Sequence, residues 1–433
     1  MSEKIKISDT MCSFPWTHLH AWPEGRAMLC CVAHGGDKRG EVGDFSTHNF
    51  QEIMNSDKMK QVRRDLMNGI KIPECEACWK DEELGKHSFR RGKNKYSIGS
   101  EQYVEIENLL KKTHPDGTLE DPKMLYMDFR FSNLCNLGCQ TCGSPLSSTI
   151  ANNRENNDSE ENFLKNKNVL SERGTVTSFV YARPDFMEVD VYPYLNDCRE
   201  FYFAGGEPLM HQEHLDILKY LDANKLYDKH IIYSTNMTLT KWKGTDFLEL
   251  WKNFNKILFW CSIDGYGDQL EFIREFSNHS NIFKNLDKLL KLKESNPKSF
   301  NVNICYTHSL YNAYYTKEFF QFLFDNGFLD RLGDIELNVA YDDENSPACL
   351  PSFAIEELRK KRAEDRQSDV MQYAFTKFDR LEHYFDAIDI SLDDKIPSSV
   401  FDKLVQTKLK PKMEKIEKAL PWLASVIKRN RII

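Results

Sequence analysis

The chain of 433 residues contains no apolar run of about eighteen residues, so no helix is expected to cross a membrane. Its first residues, MSEKIKISDTM, lack an apolar stretch, so no secretory signal is expected and the cytoplasm is the expected compartment. Positive charge is not in excess either. Fifty-eight Lys and Arg stand against 66 Asp and Glu, a net of −8, which argues against nucleic-acid binding by bulk charge. Disorder is not expected, because 41% apolar and 12% aromatic residues supply a large core. There is no internal repeat.

What the chain does have is cysteine. Twelve are present, and a reducing compartment gives a protein of this size little use for disulfide staples, so clustered cysteines read as metal ligands or redox groups. Eight fall in two groups: Cys12, Cys30, Cys31, Cys75 and Cys78, then Cys135, Cys139 and Cys142. Cys198, Cys261, Cys305 and Cys349 are scattered and read as small buried hydrophobes.

Patterning divides the chain into four regions. Residues 1–90 are dense in Cys, His, Gly and Trp, with one helix expected over Asn49–Met67 from the spacing of Ile53, Met54, Met59, Val62, Leu66 and Met67. The charged stretch GKHSFRRGKNK reads as a surface connection, residues 91–123 as a linker, and THPDGTLEDP within it as a domain boundary. In residues 124–345, strands are expected at Leu125–Phe131, Glu200–Phe203, His230–Ser234, Ile257–Ile263, Val302–Tyr306 and Ile335–Ala340. Helical patterns lie between most of them, such as Leu215–Lys225, Phe283–Lys293 and Lys317–Asn326. Such alternation implies an α/β fold whose parallel sheet carries helices on its outside. The polar stretch Asn152–Asn168 reads as a mobile insertion, and residues 346–433 as a helical C-terminal region.

The sharpest chemical feature is Cys135-Asn-Leu-Gly-Cys139-Gln-Thr-Cys142, directly after the first of these strands. Three cysteines at this spacing can ligate three irons of a cubane cluster and leave the fourth open to a small molecule. A three-cysteine zinc site and plain loop cysteines are the other readings. Three further polar groups end strands: Gly205-Gly206-Glu207-Pro208, Ser234-Thr-Asn236, and Ser262-Ile-Asp264-Gly265 with Arg274 beyond it. Gly205 and Gly206 let backbone approach a ligand closely, and Glu207 adds a carboxylate suited to an amino group. The carboxyl ends of parallel strands are where α/β folds place ligands. Asp128 and Arg130, alternating on the first strand, read either as inward substrate ligands or as a buried ion pair.

From Met124 to Ala340 these motifs together resemble the radical S-adenosylmethionine (SAM) superfamily. The resemblance implies a partial (β/α)6 barrel in which Cys135, Cys139 and Cys142 bind a [4Fe–4S] cluster whose open iron chelates SAM. It also implies that Gly205, Gly206 and Glu207 contact the amino end of SAM, Ser262 and Asp264 the ribose, Arg274 the carboxylate, and Ser234 and Asn236 the methionyl group. Thr141 departs from the family, where an aromatic residue often precedes the third cysteine and packs by the adenine. The implied chemistry is reductive cleavage of SAM to a 5′-deoxyadenosyl radical that takes hydrogen from a substrate, with the cofactor carrying the difficult step. No catalytic side chain is singled out.

Cys12, the Gly25-x4-Cys30 spacing and Cys75-Glu-Ala-Cys78 offer four thiolates, enough to close a second cluster or a structural zinc site. A CxxC redox pair is a further reading. The pattern resembles SPASM and twitch auxiliary-cluster domains, which usually follow the barrel but here precede it. Cys31 competes with Cys30, and the spacing from Gly25 favours Cys30. His18 and His20 lie on one face of an expected strand, as a metal pair or as a polar face beside the cluster. The final stretch from Pro397, with nine Lys or Arg against three Asp or Glu, reads as a solvated amphipathic helix or a partner contact.

Two [4Fe–4S] clusters and SAM are therefore the expected cofactors, and a flavodoxin or ferredoxin the kind of reductant expected. The expected function is an oxidoreductase-type modification of a peptide or protein. Radical oxidation or rearrangement of a small molecule, sugar or nucleotide is the second reading, and a non-catalytic iron–sulfur or zinc scaffold the third.

Overall fold

All six stretches expected as strands beyond Met124 form strands in the computed structural model, which describes residues 8–33, 40–83, 87–97, 107–153, 168–171, 174–340 and 342–430. Most of the polar insertion expected at 152–168 lies outside these residues. By contact the chain divides into two compact units, residues 1–134 with 144–231, and residues 135–143 with 232–433.

In the first unit, strands β1 (His18–Ala21), β2 (Arg26–Met28), β3 (Glu41–Asp44), β4 (Tyr126–Phe129) and β5 (Glu200–Phe203) lie in the order β5-β4-β1-β2-β3. β4 runs parallel to both β1 and β5, while β2 is antiparallel to β1 and β3. The cysteine-rich N-terminal stretch thus shares a sheet with the first strand of the alternating region, His18 opposite Tyr126 and His20 opposite Asp128. Alternation along His18–Ala21 tells which side chains share a face, but not which strand lies alongside, so the sequence pattern did not reveal this pairing. One face buries Phe129 with Phe45, Phe179 and Phe186, ring centroids 5.1 Å apart for Phe45–Phe129 and 4.8 Å for Phe179–Phe186. His18, His20, Tyr126, Asp128, Glu200 and Tyr202 alternate onto the other face.

Two local expectations in this unit are corrected. The helix expected over Asn49–Met67 is two helices, Phe50–Met54 and Asp57–Met67. Ser56 between them is extended and its hydroxyl accepts the N–H of Met59, so the chain restarts a helix with its own cap. The charged stretch after Cys78 is likewise not a surface connection: Phe89–Ser97 is helical, with Arg90 and Asn94 buried. Burial is tolerated because Arg90 pairs with Glu82 and donates to the carbonyls of Asp9 and Met11, while Asn94 donates to Met11.

In the second unit, strands β6 (His230–Thr235, entering at Ile232), β7 (Lys256–Ser262), β8 (Phe300–His308) and β9 (Ile335–Val339) lie in the order β9-β8-β7-β6. β8 is parallel to both β7 and β9. Tyr233, Phe259 and Cys261 are buried beneath helices, while Ser234, Trp260 and Ser262 alternate onto a half-buried face. Tyr233 stacks on Phe259 at 5.4 Å and accepts the indole N–H of Trp251. Helices continue from Ser352 to Arg429, and their apolar faces join Phe272 and Ile273 in one core. No helix among the described residues is long and apolar enough to cross a membrane.

Arg63 ties the first unit together, fully buried and donating to the carbonyls of Gly117, Pro15 and Met54. Arg63→Met leaves three buried acceptors without donors, each costing about 1–3 kcal/mol. Urea unfolding should therefore register a loss of about 3 kcal/mol or more, against about 1 kcal/mol or less for half-buried Arg64→Met, whose hydrogen bonds to Asp116 and Gln61 are open to solvent. Equal midpoints for the two variants would show that Arg63 does not hold these segments.

Candidate active site

The three-cysteine loop belongs to the second unit, where hydrogen bonds from two sides hold it. The N–H groups of Gly138 and Gln140 donate to the carbonyls of Glu275 (3.0 Å) and Ile273 (2.8 Å), just after helix Gly267–Ile273. From the end of β6, Asn236 Nδ2 donates to Asn136 Oδ1 at 3.0 Å, and Asn136 donates to Thr238 Oγ1. Two donors also face sulfur: Arg274 Nη1 lies 3.9 Å from Cys139 Sγ, and Asn236 Nδ2 lies 3.9 Å from Cys135 Sγ.

Arg274 is fixed in turn. Its Nη2 lies 2.7 Å from Asp264 Oδ2, and the other carboxylate oxygen of Asp264 accepts the N–H of Thr307, also at 2.7 Å. Asp264 is therefore drawn to Arg274, while Ser234 and Ser262 stand half-buried two residues before Asn236 and Asp264. Burial pushes the Cys139 thiol up to about 12; Arg274 opposes that, and neighbouring Cys142 adds to it. A buried thiol of this kind becomes a thiolate only around a strongly positive centre. With donors already aimed at two sulfurs, the loop fits an iron–sulfur cluster whose thiolates are hydrogen-bonded from outside.

The Gly-Gly-Glu-Pro turn belongs to the first unit, and there its glycines let it close on the chain's own backbone. Gly205 has φ +109°, and a Cβ on Gly206 would lie 2.1 Å from the carbonyl oxygen of Leu134. Gly206 and Glu207 donate their N–H groups to the carbonyls of Ser132 (3.3 Å) and Leu134 (2.7 Å). The space a side chain would fill is taken by the chain's own backbone leading to Cys135. Buried Glu207 accepts the N–H of Leu209 at 3.1 Å and caps the turn Pro208–Met210.

On the polar face of the same unit, Asp128 is fully buried between His20 and Arg130, 3.0 Å from each. Burial disfavours its charge, but Arg130 and His20 prevail and hold the carboxyl well below the usual range. Of the two readings of Asp128 and Arg130, the buried ion pair is the one present. The guanidinium lies 5.3 Å from the centre of the Tyr202 ring. His18, on the same face, is hydrogen-bonded to the carbonyl of Tyr126 at 2.9 Å and stacked on its ring, and burial lowers its pKa to about 3. The two histidines thus have separate partners. Among the described residues, no group of three or more His, Cys, Asp or Glu is arranged to hold a metal ion.

Four N-terminal cysteines lie in the first unit on separate elements. Cys12 precedes a short helix at Phe14–Thr17, Cys30 follows β2, Cys75 ends the turn Pro73–Cys75, and Cys78 lies in helix Glu76–Glu83. Burial raises all four thiols, and neighbouring cysteines add to it: Cys30 feels Cys31, then Cys12 and Cys75; Cys75 feels Cys12 and Cys78; and Cys12 feels Cys78. Cys31 is the neighbour that, after burial, most raises Cys30; its own thiol is pushed up to about 12 by burial, with Asp128 adding to this and Arg130 and Lys93 opposing it. Arg90 is the residue that sequence reasoning missed. Its guanidinium lies 4.7 Å from the centre of the Trp79 ring and its charge opposes the rise at Cys12, Cys75 and Cys78. The alternation of Phe89, Arg90 and Asn94 around a helix was the available signal. Four thiols within electrostatic reach of one another and of a cation, Cys12 and Cys78 buried and Cys30 and Cys75 half-buried, are a donor set whose chemistry suits an iron–sulfur cluster, although they are not drawn together as a metal site here.

Gly206→Ala should be far more damaging than Gly244→Ala. A Cβ meets backbone at 2.1 Å in the first case and nothing within 4 Å in the second, although Gly244, at φ +79°, also bears some strain. After anaerobic reconstitution, Gly206→Ala should lose the iron bound by Cys135, Cys139 and Cys142, while Gly244→Ala keeps it. Full iron in both would remove the role given to the Gly206 contact.

Residues 12–79 match the family model of SPASM, an iron–sulfur cluster-binding domain. No curated protein matches the chain. Among solved structures, it is similar to anSMEcpe with bound AdoMet and Cp18Cys peptide, at 19% identity and TM-score 0.33, covering 54% of this chain and 57% of that one. SuiB of Streptococcus suis bound to precursor peptide SuiA shows 14% identity and TM-score 0.33, over 68% of this chain and 59% of that one. TYW1 with a lysine-pyruvate adduct bound shows 17% identity and TM-score 0.29, over 57% of this chain and 72% of that one. The chain spans less than two thirds of the length of anSMEcpe and of SuiB. The SPASM match opens at Cys12 and closes at Trp79, so it spans Cys12, Cys30, Cys31, Cys75 and Cys78. The region shown by family is thus this N-terminal stretch, which matches an iron–sulfur cluster-binding domain and precedes the three-cysteine loop in the chain.

Proposed function

We propose that the chain is a radical SAM enzyme that oxidises a peptide or protein substrate, with a flavodoxin or ferredoxin as reductant. The observation that carries this reading is the loop of Cys135, Cys139 and Cys142, with Arg274 and Asn236 aimed at two of its sulfurs. When bound there, a four-iron cluster supplies the electron that cleaves SAM and so starts hydrogen abstraction. Arg274, oriented by Asp264, meets the SAM carboxylate; Asn236 and Ser234 serve the methionyl group, and Ser262 the ribose. Gly205, Gly206 and Glu207 belong to the amino end of SAM. The half-buried faces of β6 and β7 limit the water that would quench a radical.

The four N-terminal thiols give the oxidation its second half. With Cys12, Cys30, Cys75 and Cys78 at every corner, their cluster has no place to bind substrate and serves to accept an electron. The SPASM resemblance, whose members often act on peptides, favours a peptide or protein over a small molecule.

Iron content and SAM cleavage test the reading. Reconstituted protein should hold about eight irons and eight sulfides per chain, and joint Cys135, Cys139 and Cys142→Ala should leave the N-terminal cluster alone. Reduced protein should convert SAM to 5′-deoxyadenosine and methionine, and Cys139→Ala should abolish this. One zinc with four irons would end the auxiliary-cluster reading; wild-type cleavage by Cys139→Ala would end the catalytic one. Cys75→Ala with Cys78→Ala should retain SAM cleavage but yield no oxidised product. Normal product from that variant, with its remaining iron intact, would reduce the N-terminal cluster to a structural role.

A further inference from the structure

The C-terminal helices have no part in the function proposed above, yet within the second unit they reach the three-cysteine loop. Ile416, Leu420 and Leu423 share a core with Phe272 and Ile273, so the segment around helix Met413–Ala419 is anchored beside the end of helix Gly267–Ile273. The next residues carry the loop: the carbonyls of Ile273 and Glu275 take the N–H groups of Gln140 and Gly138. Glu275 is then gripped from the C-terminal side, its carboxylate 3.0 Å from Lys412 Nζ and 3.5 Å from Lys415 Nζ. Lys412 also lies 3.5 Å from Gln140 Oε1, while Gln140 Nε2 lies 3.2 Å from the carbonyl of Phe272. One ammonium group thus touches both the loop residue after Cys139 and the residue whose carbonyl carries the loop.

The turn needs such support. Phe276 follows Glu275 at φ +71° and is exposed, a costly conformation for a bulky side chain with no packing of its own to offset it. Lys412 and Glu275 keep only 31% and 27% of their side-chain surface exposed, so solvent screens the pair incompletely.

We propose that Lys412, acting through Glu275 and Gln140, is a positioning residue for the three-cysteine loop, and that its charge raises the reduction potential of the cluster the loop holds. This rests on the reading that the loop holds a cluster. A nearby positive charge favours the reduced form, and a carboxylate disfavours it.

Full-length reconstituted protein is compared as wild type, Lys412→Met, Lys412→Arg and Glu275→Gln. Hydrogen exchange at the Gly138 and Gln140 amides should be several-fold faster in Lys412→Met and near wild type in Lys412→Arg. The potential of the barrel cluster, followed by electron paramagnetic resonance, should move negative in Lys412→Met, positive in Glu275→Gln, and return to the wild-type value in Lys412→Arg. Unchanged exchange and potential in Lys412→Met, with iron retained, would overturn the inference. A potential moving the same way in Lys412→Met and Glu275→Gln would overturn it too, since loosened packing and not charge would then be the cause. Wild-type protein without iron at Cys135, Cys139 and Cys142 would instead overturn the functional reading, and amide exchange would still report whether Lys412 positions the loop.

Discussion

The chain buries thiols that cannot ionise by themselves. Cys12, Cys30, Cys75 and Cys139 are pushed well above the ordinary thiol range by burial, and Cys78 is raised as well. Such groups are inert as nucleophiles, and their environments make sense once a positive centre is shared among them. The surrounding structure answers to that constraint. Arg90 stands by the N-terminal four, Arg274 and Asn236 face the sulfurs of the loop, and each donor is itself held by a carboxylate or a loop amide.

Holding cysteines that come from loops requires backbone contacts at distances few side chains allow. In the first unit, Gly206 lies against Leu134 so closely that any Cβ would overlap its carbonyl. In the second, Gly138 and Gln140 are stitched to the turn after Ile273. These are turn and loop hydrogen bonds with no regular ladder behind them, so side chains such as Glu207 and Asn236 complete the support. The polar faces follow the same economy: Asp128 is buried at no exposure because His20 and Arg130 approach it from adjacent positions of the parallel β1–β4 pair.

The sequence by itself determined much of this. Alternating apolar periods gave the six strands beyond Met124, because burying one face of each strand imposes a period of two that no tertiary context alters. Cysteine spacing likewise gave the loop of Cys135, Cys139 and Cys142 and the Cys75–Cys78 pair, since a separation of three or four residues brings sulfurs near one another in almost any conformation. Long-range pairing was decided only in three dimensions. That β1 lies beside β4, that Arg90 buries against the carbonyls of Asp9 and Met11, and that Lys412 reaches Gln140 all depend on contacts between residues far apart in the chain. Local pattern carries no record of such partners, because the free energy that selects them comes from packing surfaces that exist only after the elements have met.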